Sequence, residues 1–484
     1  MRFFLRRAPH GEDGQVLAIF AVSIVFLLAI TALAIDFGFA LHAYSELEAS
    51  TNAAATAGAL DLPNSTAVAT ATSYSGVSGS KNAYGDLPNV TMVSGYPQTK
   101  CLSYMVNLGL SCDNAASANA IAVVQQVSVP TFFARVIGVS SITLRASALA
   151  AMKGGTPAPS NVMVILDTTA SMAQSDSDPT CKSETGISNP TKLDCAKWGV
   201  RTLLTELSPC ASNLQSCGTV TNANVPNPVN EVGLLTYPGL ISSASASTDY
   251  SNCQASNIKG YIAPYADSAT QPPYFTIVAP SSDYRTSDSS GLNGSTSSIV
   301  QAVDWQDGVG CTSSAYGLQD PGGVGTYYAG VLTQAQADLS ALTGSRASVQ
   351  NAIILLSDGD ANATNKEFSA ASLNNNPNLD KNECHQAIAA AQAAAATQNA
   401  VGLNTWVYSI AFGSSTGSSC STDSPAITAC QAMTQIASDA TKFYSDNANG
   451  CSSAAHPSIT SLGGIFHNIT YDFLTTRLLP FDTE

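Results

Sequence analysis

The amino-acid sequence predicts an α/β protein with three parts: an N-terminal transmembrane helix that continues as a stalk, a small α+β module, and a doubly wound, mostly parallel sheet with long insertions. Three observations support this prediction. A long uncharged apolar run stands close to the N-terminus. Short runs of Val, Ile and Leu later in the chain end in an Asp, as buried parallel strands do where they emerge from a sheet. Strand-like and helix-like segments alternate in that region, which indicates a doubly wound sheet.

The apolar run Val16–Ile35 is long enough, at about 1.5 Å per helical residue, to cross a hydrocarbon core of about 30 Å. The basic residues ahead of it are Arg2, Arg6 and Arg7, and no Lys or Arg follows until Lys81. By the positive-inside rule, residues 1–15 form a cytoplasmic tail and the chain from Asp36 onward lies outside. We expect a single-pass protein of a bacterial inner membrane, with most of its chain periplasmic or extracellular.

Two processing signals in this region are weak. Ala32–Ala34 has the small residues of a signal-peptidase site, but the apolar run is longer than a usual signal core. Cleavage of the prepilin type after Gly14 requires a Glu five residues later, where this chain has Ile19. The sequence therefore favours an uncleaved anchor.

The segment after the membrane run has helical spacing of Leu, Tyr and Ala, and it predicts an amphipathic stalk over residues 36–60. Residues 61–153 follow as a small α+β module. Within it we expect a strand at Ala120–Val129, a short helix at Pro130–Ile137 begun by its proline, and a returning strand at Ser141–Ala151. A Gly, Pro and Ser linker over residues 154–160 marks a domain boundary.

The second domain, residues 161–484, is predicted to build the parallel sheet. Its expected strands are Val162–Leu166, Glu231–Tyr237, Ala352–Ser357, Thr405–Phe412 and Lys442–Ser445. Its expected helices are Lys192–Leu207, Thr326–Leu342, Lys381–Asn399, Ala426–Ser438 and Ser458–Leu478. Between them lie a polar insertion that ends at Pro190 and a long insertion over residues 238–325 that holds Cys253 and Cys311. Loops of that length are usually functional or separately folded, so the long insertion is a candidate determinant of partner choice.

Oxygen-bearing side chains follow two of these strands. Asp167, Thr169 and Ser171 come directly after the first, Thr326 opens a helix, and Asp358 comes directly after the third. Ligands of open α/β sheets gather at the carboxyl ends of the strands. Mg²⁺ prefers oxygen ligands and few carboxylates, so these residues predict a site for Mg²⁺, or for Mn²⁺ or Ca²⁺, with room for an outside ligand.

This arrangement resembles the metal-ion-dependent adhesion site (MIDAS) of von Willebrand factor A domains. The matching residues are Asp167-Thr168-Thr169-Ala170-Ser171, Thr326 and Asp358-Gly359-Asp360, with Thr169 where the family usually has Ser. The resemblance implies that an acidic residue of a partner protein completes the coordination of the metal. The alternative is structural, because Asp-Gly is a common turn and Asp or Ser after a strand often caps the next helix.

The membrane-proximal part resembles the TadE/TadG-like pilus-assembly family. The matching stretches are Asp36-Phe37-Gly38, Leu47-Glu48-Ala49, Asn52–Ala55, Val129–Gly138 and Ile142–Ala148. Glu48 stands where the family usually has Gln, and Asn52 where it has Asp. The resemblance implies a role in Tad (Flp) pilus assembly or surface adhesion, with pilus or envelope components as partners. An ordinary signal anchor followed by a polar helix is the alternative.

Composition excludes one class of partner. The net charge is −15, with 19 Lys and Arg spread thinly, so there is no basic surface for a nucleic acid. The 12 cysteines all follow the membrane run, which is typical of disulfides in an oxidising compartment. Cys101 with Cys112, Cys210 with Cys217, and Cys420 with Cys430 are plausible local pairs, although spacing alone does not determine connectivity.

Enzymatic readings have weaker support. Gly413-Ser414-Ser415-Thr416-Gly417 satisfies the nucleophile pattern of hydrolases, with Asp423 or Asp446 and His456 or His467 following in the required order. A helix should begin at once after such a nucleophile, but Pro425 stands in a Ser-rich segment there. Cys384 beside His385 could pair as thiol and base, but nothing else marks a site there. The sequence thus predicts a metal-dependent protein-binding module that is not an enzyme; the alternative is a structural envelope or pilus subunit whose metal site is vacant.

Overall fold

A computed structural model describes the chain over residues 13–483. Not described are residues 63–64, 86, 88, 104, 106–111, 113–117, 154, 156, 177–178, 212–213, 241–273, 305–316, 319–325, 360, 362–381, 414–419, 421–422 and 448–449. The chain divides into two compact units. Unit 1 comprises Met1–Gly155 and Thr476–Glu484, and unit 2 comprises Thr156–Thr475.

Unit 1 consists of a long helix packed along an antiparallel sheet. Its helices are α1 (Asp13–Leu60) and α2 (Ala67–Ser73). Its strands are β1 (Thr91–Met92), β2 (Gln98–Lys100), β3 (Ala120–Pro130), β4 (Ser141–Ala151) and β11 (Arg477–Leu479). β3 and β4 pair over their whole length, from Ala120↔Ala151 to Pro130↔Ser141. This long hairpin is the centre of the unit.

The stalk half of α1 covers the hairpin because its small residues allow close approach. Ala54 and Ala55 on α1 share a core cluster with Ile121 and Val123 on β3. The first half of α1 differs, because its apolar side chains are mostly exposed, Leu28 to 63% for example. Among the described helices, only the segment of α1 that begins at Ile19 is long and apolar enough to cross a membrane. The chain therefore has the form of a single-pass membrane protein, as the sequence predicted.

Unit 2 is built on one six-stranded sheet. Its strands are β5 (Ser160–Asp167), β6 (Asn230–Leu240), β7 (Tyr274–Ser281), β8 (Gln350–Ser357), β9 (Trp406–Ala411) and β10 (Phe443–Ser445). They lie in the order β10-β9-β8-β5-β6-β7. All neighbours are parallel except β6 and β7, which are antiparallel. The predicted mixed α/β class with a mostly parallel sheet is confirmed.

Helices cover both faces of this sheet. They are α3 (Pro179–Thr185), α4 (Lys192–Glu206), α5 (Ser298–Ala302), α6 (Tyr328–Ser340), α7 (Glu383–Ala396), α8 (Ala429–Ile436) and α9 (Leu462–Tyr471). Val162 and Val164 of β5 belong to the core cluster that contains α4 and α9, whereas Met163 and Ile165 belong to the one that contains α6, α7 and α8. Alternate residues of a strand point to opposite faces, and β5 is therefore apolar throughout.

Three regions of the second domain differ from the sequence-based expectation. The insertion 238–325 contributes an edge strand, β7, and a short helix, α5, which its polar composition concealed. The polar stretch after Asp167 contains α3 and a 3-10 turn at Ala170–Ala173. The expected helix Ser458–Leu478 is shorter and is observed as α9. The strand β11 follows it and pairs with β4. The residues from Thr476 onward therefore belong to unit 1 and not to the second domain, to which the sequence assigned them.

Five disulfides are present among the described residues. Cys101–Cys112 and Cys210–Cys217 confirm two of the expected pairs. The third expectation is wrong: Cys420 pairs with Cys384, and Cys430 pairs with Cys451. Cys181–Cys195 is the fifth. Sequence proximity misled because the fold brings Cys384, at the start of α7, to Cys420 from a sequence separation of 36 residues. Cys253 and Cys311 lie outside the described residues.

Candidate metal centre

The two predicted acidic groups meet because their strands are neighbours. β5 and β8 pair in parallel with Leu166 opposite Leu356, so Asp167 and Ser357 emerge side by side at the carboxyl edge of the sheet. Asp358 is the next residue. The apolar runs that form the two central strands thus also position the carboxylates that end them.

Four of the five predicted ligands form a continuous hydrogen-bonded chain. The Thr169 hydroxyl donates to Asp167 Oδ1 at 2.6 Å and lies 3.0 Å from Ser171 Oγ. The Ser171 hydroxyl donates to Asp358 Oδ1 at 2.8 Å. The amide N–H of Thr169 also donates to Asp167 Oδ1, at 2.8 Å, which holds the loop over the end of β5. Two carboxylates and two hydroxyls therefore converge within hydrogen-bonding distance of one another.

The fifth predicted ligand, Thr326, is buried two residues before α6 begins. Its neighbour Tyr328 ties the start of this helix to the loop after β8: its hydroxyl donates to the carbonyl of Gly359 at 2.8 Å and also contacts the Ser357 hydroxyl. The start of α6, which follows Thr326, is therefore tied to the loop that carries Asp358.

Ser357 is a site residue that the sequence analysis did not single out. Its hydroxyl donates to Asp167 Oδ2 at 2.8 Å, so both oxygens of Asp167 accept hydrogen bonds from the protein. The only sequence signal was its position as the last residue of a buried strand beside a carboxylate. A hydroxyl there is consistent with holding Asp167 in one orientation.

Burial of two carboxylates so close together is electrostatically unfavourable. Asp167 is 1% exposed and Asp358 8% exposed. Removal from water, and secondly the charge of Asp358, raise the pKa of Asp167 to about 6 from its ordinary 3.8, although hydrogen bonds from Thr169 and Ser357 oppose the rise. A cation bound between the two carboxylates would relieve this repulsion.

Lys192 already provides one positive charge. Its ammonium group donates to Asp358 Oδ2 at 2.6 Å, and the ion pair is largely buried. Lys192 is the first residue of α4, whose start is fixed by a capping box between Thr191 and Asp194. Sequence analysis missed this lysine because its meeting with Asp358 depends on how α4 packs, and the two residues are far apart in the chain.

The donor set fits a hard divalent cation. Carboxylate and hydroxyl oxygens are the ligands that Mg²⁺, Mn²⁺ and Ca²⁺ accept, and the described part of this cluster offers no sulfur or imidazole that would favour a softer metal. The lysine is the single feature against it, because its ammonium group competes for Asp358. Asp167, Thr169, Ser171 and Asp358 would hold the metal, and Thr326 would contribute through the start of α6.

The described members of the enzymatic constellations do not assemble a catalytic site. Cys384 is bonded to Cys420 and so has no thiol. Asp423 Oδ1 lies 2.5 Å from Nδ1 of His385, and Asp446 accepts from the amide of Gly413 at 2.7 Å. His456 stacks on Tyr444. Asp423 thus pairs with His385 rather than with a histidine of the predicted Ser–Asp–His set, and Ser415 lies outside the described residues.

Comparison with solved structures finds only distant similarity. The pilus adhesin SpaC from Lactobacillus rhamnosus GG is 15% identical at a TM-score of 0.34, covering 74% of this chain and 33% of that chain. Proximal thread matrix protein 1 from the mussel byssus is 13% identical at 0.29, covering 66% and 49%. The minor pilin PilB from Streptococcus sanguinis is 11% identical at 0.30, covering 73% and 74%. The chain thus spans about a third of the adhesin's length and about half of the byssus protein's.

Sequence comparison points to the membrane-proximal unit. No curated protein matches the chain. A family model described as putative Tad-like Flp pilus-assembly matches residues 49–150. That range contains the end of α1 and the β3–β4 hairpin except Ala151, the last residue of β4. Residues 49–150 are therefore similar to Tad-like Flp pilus-assembly proteins, which supports a pilus-associated role in the cell envelope.

Proposed function

We propose that this chain is an inner-membrane-anchored component of Tad (Flp) pilus assembly or surface adhesion whose unit 2 is a von Willebrand A-type module. It binds an acidic group of a pilus or envelope protein through a divalent cation at Asp167, Thr169, Ser171, Thr326 and Asp358. The family match over residues 49–150 supports the pilus association, and the alternation of α and β elements around the parallel sheet supports the module type.

The observation that carries the proposal is the hydrogen-bonded chain from Asp167 through Thr169 and Ser171 to Asp358. Segments of α/β structure that are far apart in sequence place four oxygen-bearing side chains together at the carboxyl edge of the sheet. The cluster includes a buried carboxyl whose pKa is raised to about 6, and such groups concentrate at functional sites. The proposed role is binding rather than catalysis, because the carboxylate and hydroxyl oxygens of the cluster are the donor set of a hard divalent cation.

The proposal is tested by thermal unfolding of the full chain in detergent, with its disulfides intact, in EDTA and in graded Mg²⁺ or Mn²⁺. A ligand that binds only the folded state stabilises it by about 2.7 kcal/mol at a hundredfold excess over Kd. We expect a rise in the melting temperature of unit 2 that Asp167→Ala abolishes. The matched control is Asp482→Asn, an exposed carboxylate of unit 1. Absence of any shift at millimolar metal would refute metal binding.

A second candidate function has an observation of its own. The 2.6 Å ion pair between Lys192 and Asp358 already balances one of the two carboxylates. In this alternative, the lysine substitutes for the metal and the chain is a structural subunit of the envelope or pilus. Pilus assembly or adhesion in an Asp167→Ala strain separates the two functions: loss favours the metal-dependent module, and full activity favours the structural subunit.

A further inference from the structure

We propose that the tip of the β3–β4 hairpin, Thr131–Ser140, inserts into the outer surface of the same lipid bilayer that α1 crosses. The chain would then contact the membrane at two places in unit 1, the apolar helix and this tip. The inference rests on the proposed membrane placement of α1 and goes beyond it, because it assigns a lipid-binding surface to a segment that the sequence predicts only as a short helix between two strands.

The direction of the hairpin follows from three contacts along α1. Far along the stalk, a Cβ added to Gly58 would lie 2.8 Å from the side chain of Ile121. Closer to the membrane run, Gln125 Nε2 donates to the Thr51 hydroxyl at 3.0 Å. Residue numbers therefore rise along β3 as they fall along α1. The strand runs back along the helix toward its apolar half.

The third contact is at the point where α1 leaves the apolar run. Asp36 Oδ1 accepts from the amide of Phe132 at 2.7 Å, and Asp36 Oδ2 accepts from the amide of Ala134 at 2.7 Å. The amide of Phe133 donates to the same carboxylate. The ring of Phe132 also packs edge-on against that of Phe39 at 5.2 Å between centroids. Asp36 thus fastens the hairpin to the end of the predicted membrane span.

Element lengths agree with this alignment. From residue 58 back to residue 36 the helix rises about 33 Å, and from residue 121 to residue 132 the strand extends about 36 Å. The helix and the strand therefore have nearly the same length between their shared contacts, as expected for elements that run side by side. The residues between 134 and 139 follow the last of these contacts, which is at Asp36, where α1 leaves the apolar run.

The tip is apolar and its side chains are exposed. Val136 is 84% exposed and Ile137 82% exposed, and the rings of Phe132 and Phe133 are about half exposed. Only one residue of the tip, Arg135, is charged. Apolar side chains beside a single basic residue suit a bilayer interface, where the chains enter the acyl region and the guanidinium meets lipid phosphate. Continuity with the exposed apolar surface of α1 favours lipid over a protein partner as the occupant.

A photo-crosslinking amino acid, p-benzoylphenylalanine, tests the inference in the full-length protein reconstituted into phospholipid nanodiscs. It is placed singly at Ile137 and, in case one substitution disturbs the turn, at Val136. The control for the membrane span is Phe26, which is 65% exposed on α1. The control for an exposed apolar residue outside unit 1 is Val401 of unit 2, which is 60% exposed. Mass spectrometry then distinguishes adducts of phospholipid from adducts of a second protein chain.

We expect the two tip positions and Phe26 to form phospholipid adducts in about tenfold higher yield than Val401. Lipid adducts at Phe26 without any at Ile137 and Val136 would overturn the inference while leaving the membrane span intact. Protein–protein adducts at both tip positions would also overturn it and would identify a second copy as the occupant. Absence of lipid adducts at Phe26 as well would overturn the span and the tip together.

Discussion

The two units bury their carboxylates for different purposes. In unit 1, Asp36 accepts hydrogen bonds from three consecutive backbone amides, and these amides stabilise its negative charge. In unit 2, Asp167 and Asp358 each accept a hydrogen bond from a hydroxyl group, and Asp358 also forms an ion pair with a lysine. The two carboxylates nevertheless lie in the same buried cluster. The first arrangement stabilises a turn. The second leaves two carboxylates repelling each other in a buried cluster, and groups with raised pKa values of this kind concentrate at functional sites.

The largest expected effect is in unit 1. Asp36→Ala removes the acceptor of the amides of Phe132, Phe133 and Ala134 and should destabilise the hairpin tip by about 3 kcal/mol, because hydrogen bonds to a charged group are among the stronger ones. Hydrogen exchange of these amides in the full chain measures the effect. Asp36→Asn keeps one carbonyl oxygen and should lose less protection. Equal protection in Asp36→Ala and the wild type would show that the carboxylate does not hold the tip.

Substitution of Asp167 should stabilise the protein, whereas substitution of Asp36 should destabilise it. In EDTA at pH 7, Asp167→Asn should raise the free energy of unfolding of unit 2 by about 2 kcal/mol, because burial and the charge of Asp358 raise the pKa of the carboxyl to about 6. Denaturant titration of the full chain measures this gain, with Asp482→Asn as the control.

The pH dependence gives a sharper test of the same change. The folded wild type holds a proton on Asp167 up to about pH 6, whereas the unfolded chain releases it near the ordinary pKa of 3.8. The folded state binds more protons between these values, so the wild type loses stability as pH rises through this window. The gain from Asp167→Asn should therefore be absent below about pH 4 and complete above about pH 6. A gain that is constant with pH would contradict this origin.

Lys192 should set the affinity for metal. Lys192→Met removes the ammonium group that occupies Asp358 Oδ2, and we expect Mg²⁺ or Mn²⁺ to bind about tenfold more tightly, which corresponds to about 1.4 kcal/mol. Isothermal titration of the full chain measures the affinity, and Lys182→Met, at an exposed lysine of the same unit, is the control. If neither the wild type nor Lys192→Met binds metal, the structural alternative for unit 2 is favoured.

The smallest effect is expected at the loop after β8. Tyr328→Phe removes the hydrogen bond to the carbonyl of Gly359 and the contact with Ser357, and it should cost unit 2 about 1 kcal/mol. It should also weaken metal binding, because the start of α6 carries Thr326. Thermal unfolding with and without metal checks both effects against Tyr84→Phe, at an exposed tyrosine of unit 1. A purely structural role would lower stability equally with and without metal.

Much of the fold follows from local pattern. The uncharged run and the helical spacing after it predicted one continuous α1, and apolar runs ending in Asp predicted β5 and β8. The edge strand β7 was missed because it lies inside a long polar insertion, where its single apolar stretch has no partner visible in the sequence. The pairing of Cys384 with Cys420 was missed for a related reason: these cysteines are 36 residues apart, and only the tertiary fold brings them together.

The candidate site shows the same division. The sequence by itself determined that oxygen side chains follow two central strands, because a buried strand must be apolar and the first polar residue after it marks its end. Only the tertiary structure decided that β5 and β8 are neighbours, that Ser357 holds Asp167, and that Lys192 reaches Asp358. It likewise decided that Asp36 fastens the hairpin tip beside the apolar helix. These contacts join residues from distant parts of the chain, and packing rather than local periodicity selects which of them meet.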